Sequence, residues 1–489
     1  MSSLTRTPRL STRGGRALVA LIGWSNAALR SCKPYSQCRY SSTGASPSPR
    51  SVSIDGKSYD TDEWHNLTPN IISSASRRLH IQKDHPISIT RTIIESKFPA
   101  PTYRYHNTFF PVVSTYQNFD SLGFPADHPG RSKTDTYYVN KDTVLRTHTS
   151  AHQADVFRRN ESEGFLISAD VYRRDAIDRS HYPIFHQMEG ARMWDREKVP
   201  NGDIAAAVWK DLESLPTHTM TVEDPNPPTH PERNPLQDEH SAAEAEAIAA
   251  HLKRSLELVV AEIFSRAKTA AIAANPDFVD EQLKVRWVEA YFPFTSPSWE
   301  LEIFWQGDWL EVLGCGVVKQ DILTKAGVPS QLGWAFGVGL ERIAMLLFEI
   351  PDIRLFWSQD ERFLSQFKGL SDNLNNLKRF VPFSKYPACY KDVAFWLRSS
   401  SSSAGGGGRA NAQDFHENDV MEIVRDIGGD VVEDVTKVDE FTHPKTGRKS
   451  LCYRINYRSL ERTLTNEEAN VFHERVRNAL VEKLGVELR

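Results

Sequence analysis

Cysteine is scarce: the chain has five in 489 residues, and only Cys315, Cys389 and Cys452 lie beyond residue 50. They show neither a pairing pattern nor metal-ligand spacing, which excludes a disulfide scaffold and a structural zinc and fits a reducing compartment. No stretch approaches the ~18 consecutive apolar residues of a membrane span, so the mature protein reads as soluble, with no membrane partner. Acidic residues are absent before Asp55, whereas residues 1–50 hold seven arginines, one lysine and many serines. That composition predicts a mitochondrial presequence over residues 1–48 and places the mature chain in the mitochondrial matrix. A secretory signal fits less well, because basic residues continue past the apolar run Ala17–Trp24 to Arg30, Lys33 and Arg39.

Two phosphate-binding signatures are also missing. The run "SSSSSAGGGG" (residues 399–408) is followed by no Lys-Ser/Thr pair, so it reads as a flexible surface insert. In "GWAFGVGLER" (residues 333–342) the third glycine of a dinucleotide fingerprint is replaced by Arg342, and no βαβ context surrounds it. Without residues 1–50, 51 basic residues face 63 acidic ones, a formal charge of −12. Nucleic-acid contact therefore requires a local basic patch, since the field of the whole molecule repels phosphate.

The length predicts about two or three folded units. Residues 70–98 carry helical periodicity, and the proline- and aromatic-rich residues 98–119 read as an irregular surface cover. Short strands follow over Thr134–Met193, then a proline-rich loop, Pro216–His240, and one long helix, Ser241–Ala271. Strands return at Val285–Phe292 and Trp299–Val318, and Gly333–Ile350 begins glycine-rich before becoming an apolar helix. The sum is an α+β fold, an antiparallel sheet flanked by helices, over residues 49–357. A polar helical linker (358–383) leads to residues 384–489, whose β-α-β-β-α-β order is the ferredoxin-like, split βαβ pattern.

The stretch "YRRDAIDRSHYPIFHQMEG" (172–190) sets dense charge between flanks that read as buried strand. Side chains alternate across a strand, so Phe185, Gln187 and Glu189 share one face. If the two arms pair through the loop Ala176–Pro183, Arg173 lies beside them. The same alternation groups Arg146, His148 and Ser150 in "TVLRTHTSAHQ", and Phe292 with Phe294 in "YFPFTSPSWELE". Charges on central strands need partners or ligands. Arg342, in the first turn of a helix whose dipole opposes it, likewise asks for an anionic or aromatic partner.

Together, "LRTHTSAHQ" (145–153), "VYRRD" with "SHYPIFHQMEG" (171–190), "FPFTSPS" (292–298), "LGCGVV" (313–318) and "GWAFGVGLER" (333–342) resemble the motifs of class II aminoacyl-tRNA synthetases, in particular the phenylalanyl enzymes. The resemblance runs from about residue 85 to the C-terminus. Joining this core to a C-terminal ferredoxin-like module resembles the monomeric mitochondrial phenylalanine-tRNA ligases. It implies ATP as a substrate, Mg2+ as cofactor, and phenylalanine and tRNA(Phe) as partners of a single-chain enzyme.

The resemblance also implies roles. Phenylalanine's ring would sit between Phe292 and Phe294, with Ala335 and Thr295 at its para end. Its ammonium and carboxylate would meet His148, Ser150, Gln187 and Glu189, with Ala151, His152, Gln153 and Met188 close by. Adenine would stack between Phe185 and Arg342, beside Asp175, which stands where the class usually has glutamate. Arg173 would grip the α-phosphate and the reacting carboxylate, while Ser180, His181 and Tyr182 meet the phosphates; Arg173, His181 and Arg342 would carry catalysis. Glu302 and Glu311 are the candidate magnesium ligands. An apolar pocket rejects an added hydroxyl only ~100-fold, and no segment is large enough for a separate editing domain, so some tyrosine should be activated. In the C-terminal module, Lys445, Arg448, Lys449, Arg454 and Arg458, interleaved with Tyr453 and Tyr457, form the expected tRNA-binding patch. The alternative is a noncatalytic, synthetase-like RNA-binding or regulatory protein; such relatives usually lose the nucleotide-gripping arginines, and both are present here.

Overall fold

The computed structural model describes residues 51–275, 283–305, 308–383, 386–397 and 415–489; the expected presequence and the 399–408 insert lie outside the described residues. The dominant element is an eight-stranded sheet in the order Tyr103–His106, Gly164–Tyr172, Ile184–Asp195, Gln331–Gly339, Asp308–Val318, Thr295–Trp305, Lys284–Glu289, Thr221–Glu223. Neighbours are antiparallel except at the two edges, where the short outer strands pair in parallel. Gly164–Tyr172 is buried along its whole length. One side packs into the main core with helices Pro86–Glu95, Ala242–Ala274 and Leu340–Phe348. On the other, Phe165 and Ile167 meet Leu122, Phe109 and Phe124 of the preceding cover. Burial on both faces explains a sequence that reads as continuous apolar strand rather than alternation.

Several expectations change at this level. The helical run over 70–98 is two helices, Pro69–Ser74 and Pro86–Glu95, separated by turns with Arg78 and Asp84 in the left-handed region. The "irregular cover" contains the edge strand Tyr103–His106 and the strand Val112–Ser114, because ladder pairing overrides a proline-rich local composition. Trp299–Val318 is a hairpin rather than one run. The long helix begins as expected, with Ser241 and Glu244 forming a capping box, and runs to Ala274. The polar linker is not simply polar: Phe363, Phe367, Leu370, Leu377 and Phe380 are buried in the main core.

The C-terminal module is a four-stranded antiparallel sheet, ordered Val432–Thr442, Lys449–Tyr457, Cys389–Trp396, Glu487–Leu488. Helices Glu417–Gly428 and Asn466–Leu484 share its core.

The two modules meet at several points, among them Tyr137 with Glu422 and Arg354 with the Asp430 and Arg458 carbonyls, and most densely at the loop between Tyr172 and Ile184. Its backbone makes few bonds to itself, and four consecutive carbonyls are satisfied from the C-terminal module. Asn418 Nδ2 donates to the Arg174 carbonyl, Arg425 Nη2 to those of Asp175 and Ala176, and the Val435 N–H to that of Ile177. The Ile177 side chain is buried in the C-terminal module's own core. Arg179 pairs with Glu433, and Tyr182 Oη donates to Asp430 Oδ1 at 2.8 Å.

Candidate active site

Three adjacent strands build the floor of the site. Val171 stands opposite Phe185 and Ile167 opposite Glu189, while Gln187 and Glu189 pair on the other side with Gly339 and Gly337. Directly opposed residues share a face, so the two glycines lie beside Gln187 and Glu189. A Cβ at either would meet nothing within 4 Å, which leaves the floor clear. Arg173 N–H donates to the Pro183 carbonyl, closing the hairpin, and its Nε donates to the Thr147 carbonyl at 2.8 Å. Its guanidinium is 5.3 Å from the Phe185 ring centroid. The expected convergence of Arg173, Phe185, Gln187 and Glu189 is therefore present.

At one end of this floor, buried polar groups, most of them acceptors, lack a close partner. Ser150 Oγ donates to Glu189 Oε2, and Thr149 Oγ1 lies 3.4 Å from the same oxygen. Glu189 Oε1, Gln153 Oε1 and both ring nitrogens of His148 lack a hydrogen-bond partner among the described residues. Burial pushes the Glu189 carboxyl up to about 7. Burial and the Arg173 charge push His148 down to about 3, so its ring is neutral. Orphaned buried acceptors beside a carboxylate suit a cation with several N–H donors, such as an α-ammonium group.

The other end is aromatic. Phe292 and Phe294 are near-parallel, with centroids 5.9 Å apart. A ring stacked between parallel faces would need twice the ~3.5 Å carbon contact distance, about 7 Å, which is more than this pair leaves, so the geometry seats no ring inside it. Gly314 makes room for Phe292, whose ring lies 2.5 Å from where a Cβ would stand. Ala335 and Thr295 are buried, and Thr295 Oγ1 bonds Ser298 Oγ at 2.7 Å. Phe124 stacks on His148 at 5.6 Å and lies near Phe294; it was missed because its segment shows no periodicity.

Some expected substrate residues stand elsewhere. Residues 149–152 are a 3-10 turn, so Arg146, His148 and Ser150 do not share a strand face. Arg146 is fully buried, and His152 bonds it rather than facing the floor, stacked on Phe109. Ala151 packs with Val113, Tyr138 and Val144, and Met188 belongs to the main core on the opposite face from Gln187.

Arg342 is exposed, and Nη1 donates to the Glu311 carbonyl at 2.9 Å, with the Glu311 carboxylate 3.9 Å away. Glu341 fixes the adjacent helix turn to the floor strand, accepting from His186 N at 2.8 Å and facing its Nδ1 at 2.7 Å. Glu302 stands opposite Glu311, but its carboxylate is taken up by Arg286. The unforeseen acid is Glu300, whose carboxyl is raised by burial and by the charges of Glu311 and Glu302. Two carboxylates that repel each other fit a divalent cation that completes its shell with phosphate oxygens. Among the described residues no three ligand side chains converge as a metal cage.

On the loop, Asp175 caps the Ala176 N–H, and Ser180 and His181 are gathered by Asp178. The hydrogen bond to Asp178 raises the His181 imidazole above its usual value, against the nearby Arg342 charge. Tyr182 stacks on Trp357 and bonds Asp430, pointing away from the floor.

The basic patch of the C-terminal module also changes. Tyr453 and Tyr457 are buried in its core and cannot stack bases. Arg448 pairs with Glu487, Lys449 with Glu440, Arg454 with Asp392 and Arg458 with Glu433. Lys445 is exposed. The aromatic surface that does lie beside these cations is Trp396, with Arg448 and Arg489 at 5.4 and 5.8 Å and the edges of Phe441 and His443 around it.

Comparison with known proteins agrees with both modules. The model of the class II core domain (F) of tRNA synthetases matches residues 70–207 and 256–367, and that of the ferredoxin-fold anticodon-binding domain matches residues 384–489. The chain is 50% identical to the mitochondrial phenylalanine-tRNA ligase of Saccharomyces cerevisiae, over 90% of its own length and 95% of that protein. It is 43% identical to the mouse mitochondrial phenylalanine-tRNA ligase, covering 90% and 89%. With the phenylalanine-tRNA ligase alpha subunit of Staphylococcus carnosus it shares 30% identity over only 62% of this chain. The chain belongs to the class II tRNA synthetases, in the phenylalanine-tRNA ligase family.

Proposed function

We propose that this chain activates phenylalanine with ATP as phenylalanyl-adenylate and passes the phenylalanyl group to tRNA(Phe). The observation that carries the residue assignment is the set of buried polar atoms without a close partner, Glu189 Oε1, Gln153 Oε1 and the His148 ring nitrogens, on the side of Arg173 and of the Phe124–Phe294 contact. They match the two ends of phenylalanine, an ammonium and a ring, and leave its carboxylate toward Arg173.

The carboxylate then attacks the α-phosphorus in line, a P–O bond forms, and pyrophosphate leaves with the broken bond's electron pair. No protein nucleophile is required, so catalysis is placement and neutralisation of developing charge. Arg173 supplies a planar fork that can hold the carboxylate and the α-phosphate together. Phe185 and Arg342 flank the adenine, and His181, whose hydrogen bond to Asp178 favours its charged form, faces the phosphates. Glu300 and Glu311 would hold magnesium, which when bound neutralises charge on the phosphate oxygens. The tRNA then supplies the 2'-hydroxyl of its terminal adenosine, and the C-terminal module grips the anticodon arm.

The curated relatives above are named mitochondrial, and the Arg- and Ser-rich first 48 residues support delivery of this chain to the mitochondrial matrix. Among the described residues no helix is long and apolar enough to cross a membrane. We read the enzyme as a monomer; gel filtration near the chain mass is the check. The deciding assay is amino-acid-dependent ATP-pyrophosphate exchange on protein beginning at residue 49, without tRNA. Exchange with phenylalanine is expected; silence from folded, ATP-binding protein would favour the noncatalytic reading.

A further inference from the structure

The loop that carries Asp175, Ser180, His181 and Tyr182 is tied to its own module at its ends, through the Asp135 carbonyl, Ile353 N–H and Trp357, but its central carbonyls are held from the C-terminal module. A surface loop ordinarily satisfies its backbone with its own turns or with water. Here the carbonyls of residues 174 to 177 are satisfied in succession by Asn418, Arg425 and Val435. Arg425 is the centre of this arrangement. It is 9% exposed; Nη2 donates to the Asp175 carbonyl at 2.5 Å and to the Ala176 carbonyl at 3.3 Å. Its Nη1 donates to Glu422 Oε2 at 2.7 Å, and the same oxygen accepts from Tyr137 Oη at 2.8 Å. The guanidinium is thus fixed on both sides, and a fixed planar fork sets the direction of the two carbonyls it holds.

Arg173 is two residues upstream and His181 six downstream, so the loop path between them decides where both cations stand. Transition-state stabilisation by fixed charges is sensitive to displacements on the order of 1 Å. From this we infer that the ferredoxin-like module has a second role: through Arg425, it positions the nucleotide-gripping loop for the adenylation step, in which no RNA takes part. Arg425 is a positioning residue, acting through the Asp175 and Ala176 carbonyls. The inference rests on the reading that Arg173 and His181 meet ATP, and it assigns to the anticodon-binding module a contribution that RNA-free chemistry can measure.

The test is phenylalanine-dependent ATP-pyrophosphate exchange without tRNA, on the full chain from residue 49, comparing wild type with R425A, R425K and N418A. R425A should raise KM for ATP about tenfold, the worth of one charge-assisted hydrogen bond, and leave KM for phenylalanine within about twofold. R425K, which can reach one carbonyl, should recover part of that loss; N418A, which frees the Arg174 carbonyl and, outside the loop, that of Thr134, should raise KM for ATP by a smaller factor. A folded R425A with unchanged KM for ATP overturns the inference, as does a loss that falls equally on both substrates or only on active-enzyme yield. If R425A does not fold, N418A decides by the same criterion. Absence of exchange in the wild type would instead sink the assignment of the site itself, so the two failures are distinguishable.

Discussion

Arg146 and Asp170 form an ion pair at 2.6 Å with side chains 0% and 3% exposed, directly beneath the substrate floor. The remaining donors of Arg146 go to the carbonyls of Phe109, Phe110 and Asp170, and Tyr172 Oη bonds Asp170. Removing one member leaves a buried charge unpaired, which costs about 3–5 kcal/mol. Arg146→Ala should therefore lower the urea midpoint sharply. Arg173→Ala, only partly buried, should leave the midpoint near wild type and abolish adenylate formation; an equal stability loss in both would refute this division between support and chemistry.

Glu189 predicts a pH dependence with a definite sign. Its carboxyl, pushed up to about 7 in the empty fold, has an ordinary value of 4.5. The folded state thus keeps this proton where the unfolded chain gives it up. Stability is free of the Glu189 penalty below about pH 4.5 and falls as pH rises through about 7. Glu189→Gln should flatten that decline in a pH series of denaturation midpoints. An ammonium ligand prefers the ionised carboxylate, so phenylalanine affinity should rise with pH up to about 7. Calorimetry in buffers of different ionisation enthalpy should show proton release on binding near pH 6.5, and buffer-independent heats would contradict it.

The para end of the pocket sets a limit on discrimination. Ala335 presents one methyl, and the Thr295 hydroxyl already bonds Ser298. A tyrosine hydroxyl meets weak opposition there, worth ~100-fold at most. Tyrosine-dependent pyrophosphate exchange should be measurable at a kcat/KM about a hundredth of that for phenylalanine. No detectable exchange at saturating tyrosine would show that the pocket excludes the hydroxyl by another means.

The RNA face should depend on Trp396 rather than on the buried tyrosines. Base stacking is worth ~1–3 kcal/mol, so Trp396→Ala should raise KM for tRNA about tenfold while exchange without tRNA is unaffected. Tyr453→Phe should change neither. A tRNA effect in Tyr453→Phe with none in Trp396→Ala would reverse this assignment.

Period-two alternation made the catalytic face legible: Phe185, Gln187 and Glu189 were placed on one side of their strand, and Arg173 beside them. The same rule puts Met188 on the opposite, buried side. It also puts Leu451, Tyr453, Ile455 and Tyr457 on one apolar face, which composition alone disguised as a mixed basic-aromatic patch. Arg146 was misread because "TVLRTHTSAHQ" turns into a 3-10 segment after a three-residue strand. A strand pattern cannot report where the strand ends. Glu300 was passed over because its own hairpin partner is Gly314; its significance comes from neighbouring charges across the sheet. The bonds from 415–435 to 174–177 left no local trace, since nothing about four backbone carbonyls is written in their side chains.

The shared loop fixes an order of assembly. Asp175 and Arg425 are 250 residues apart. At translation rates of ~5–20 residues per second, the loop is made roughly 10–50 s before the helix that completes it. Until then Ile177 has no core to enter, and the carbonyls around it depend on water. The larger module, which carries the chemistry, is thus finished last, by the small ferredoxin-fold module at the C-terminus. A chain stopped between residues 400 and 417 would lack every donor that holds the carbonyls of residues 174–177; on the inference above, it would lose the fixed path of its nucleotide loop together with its RNA grip.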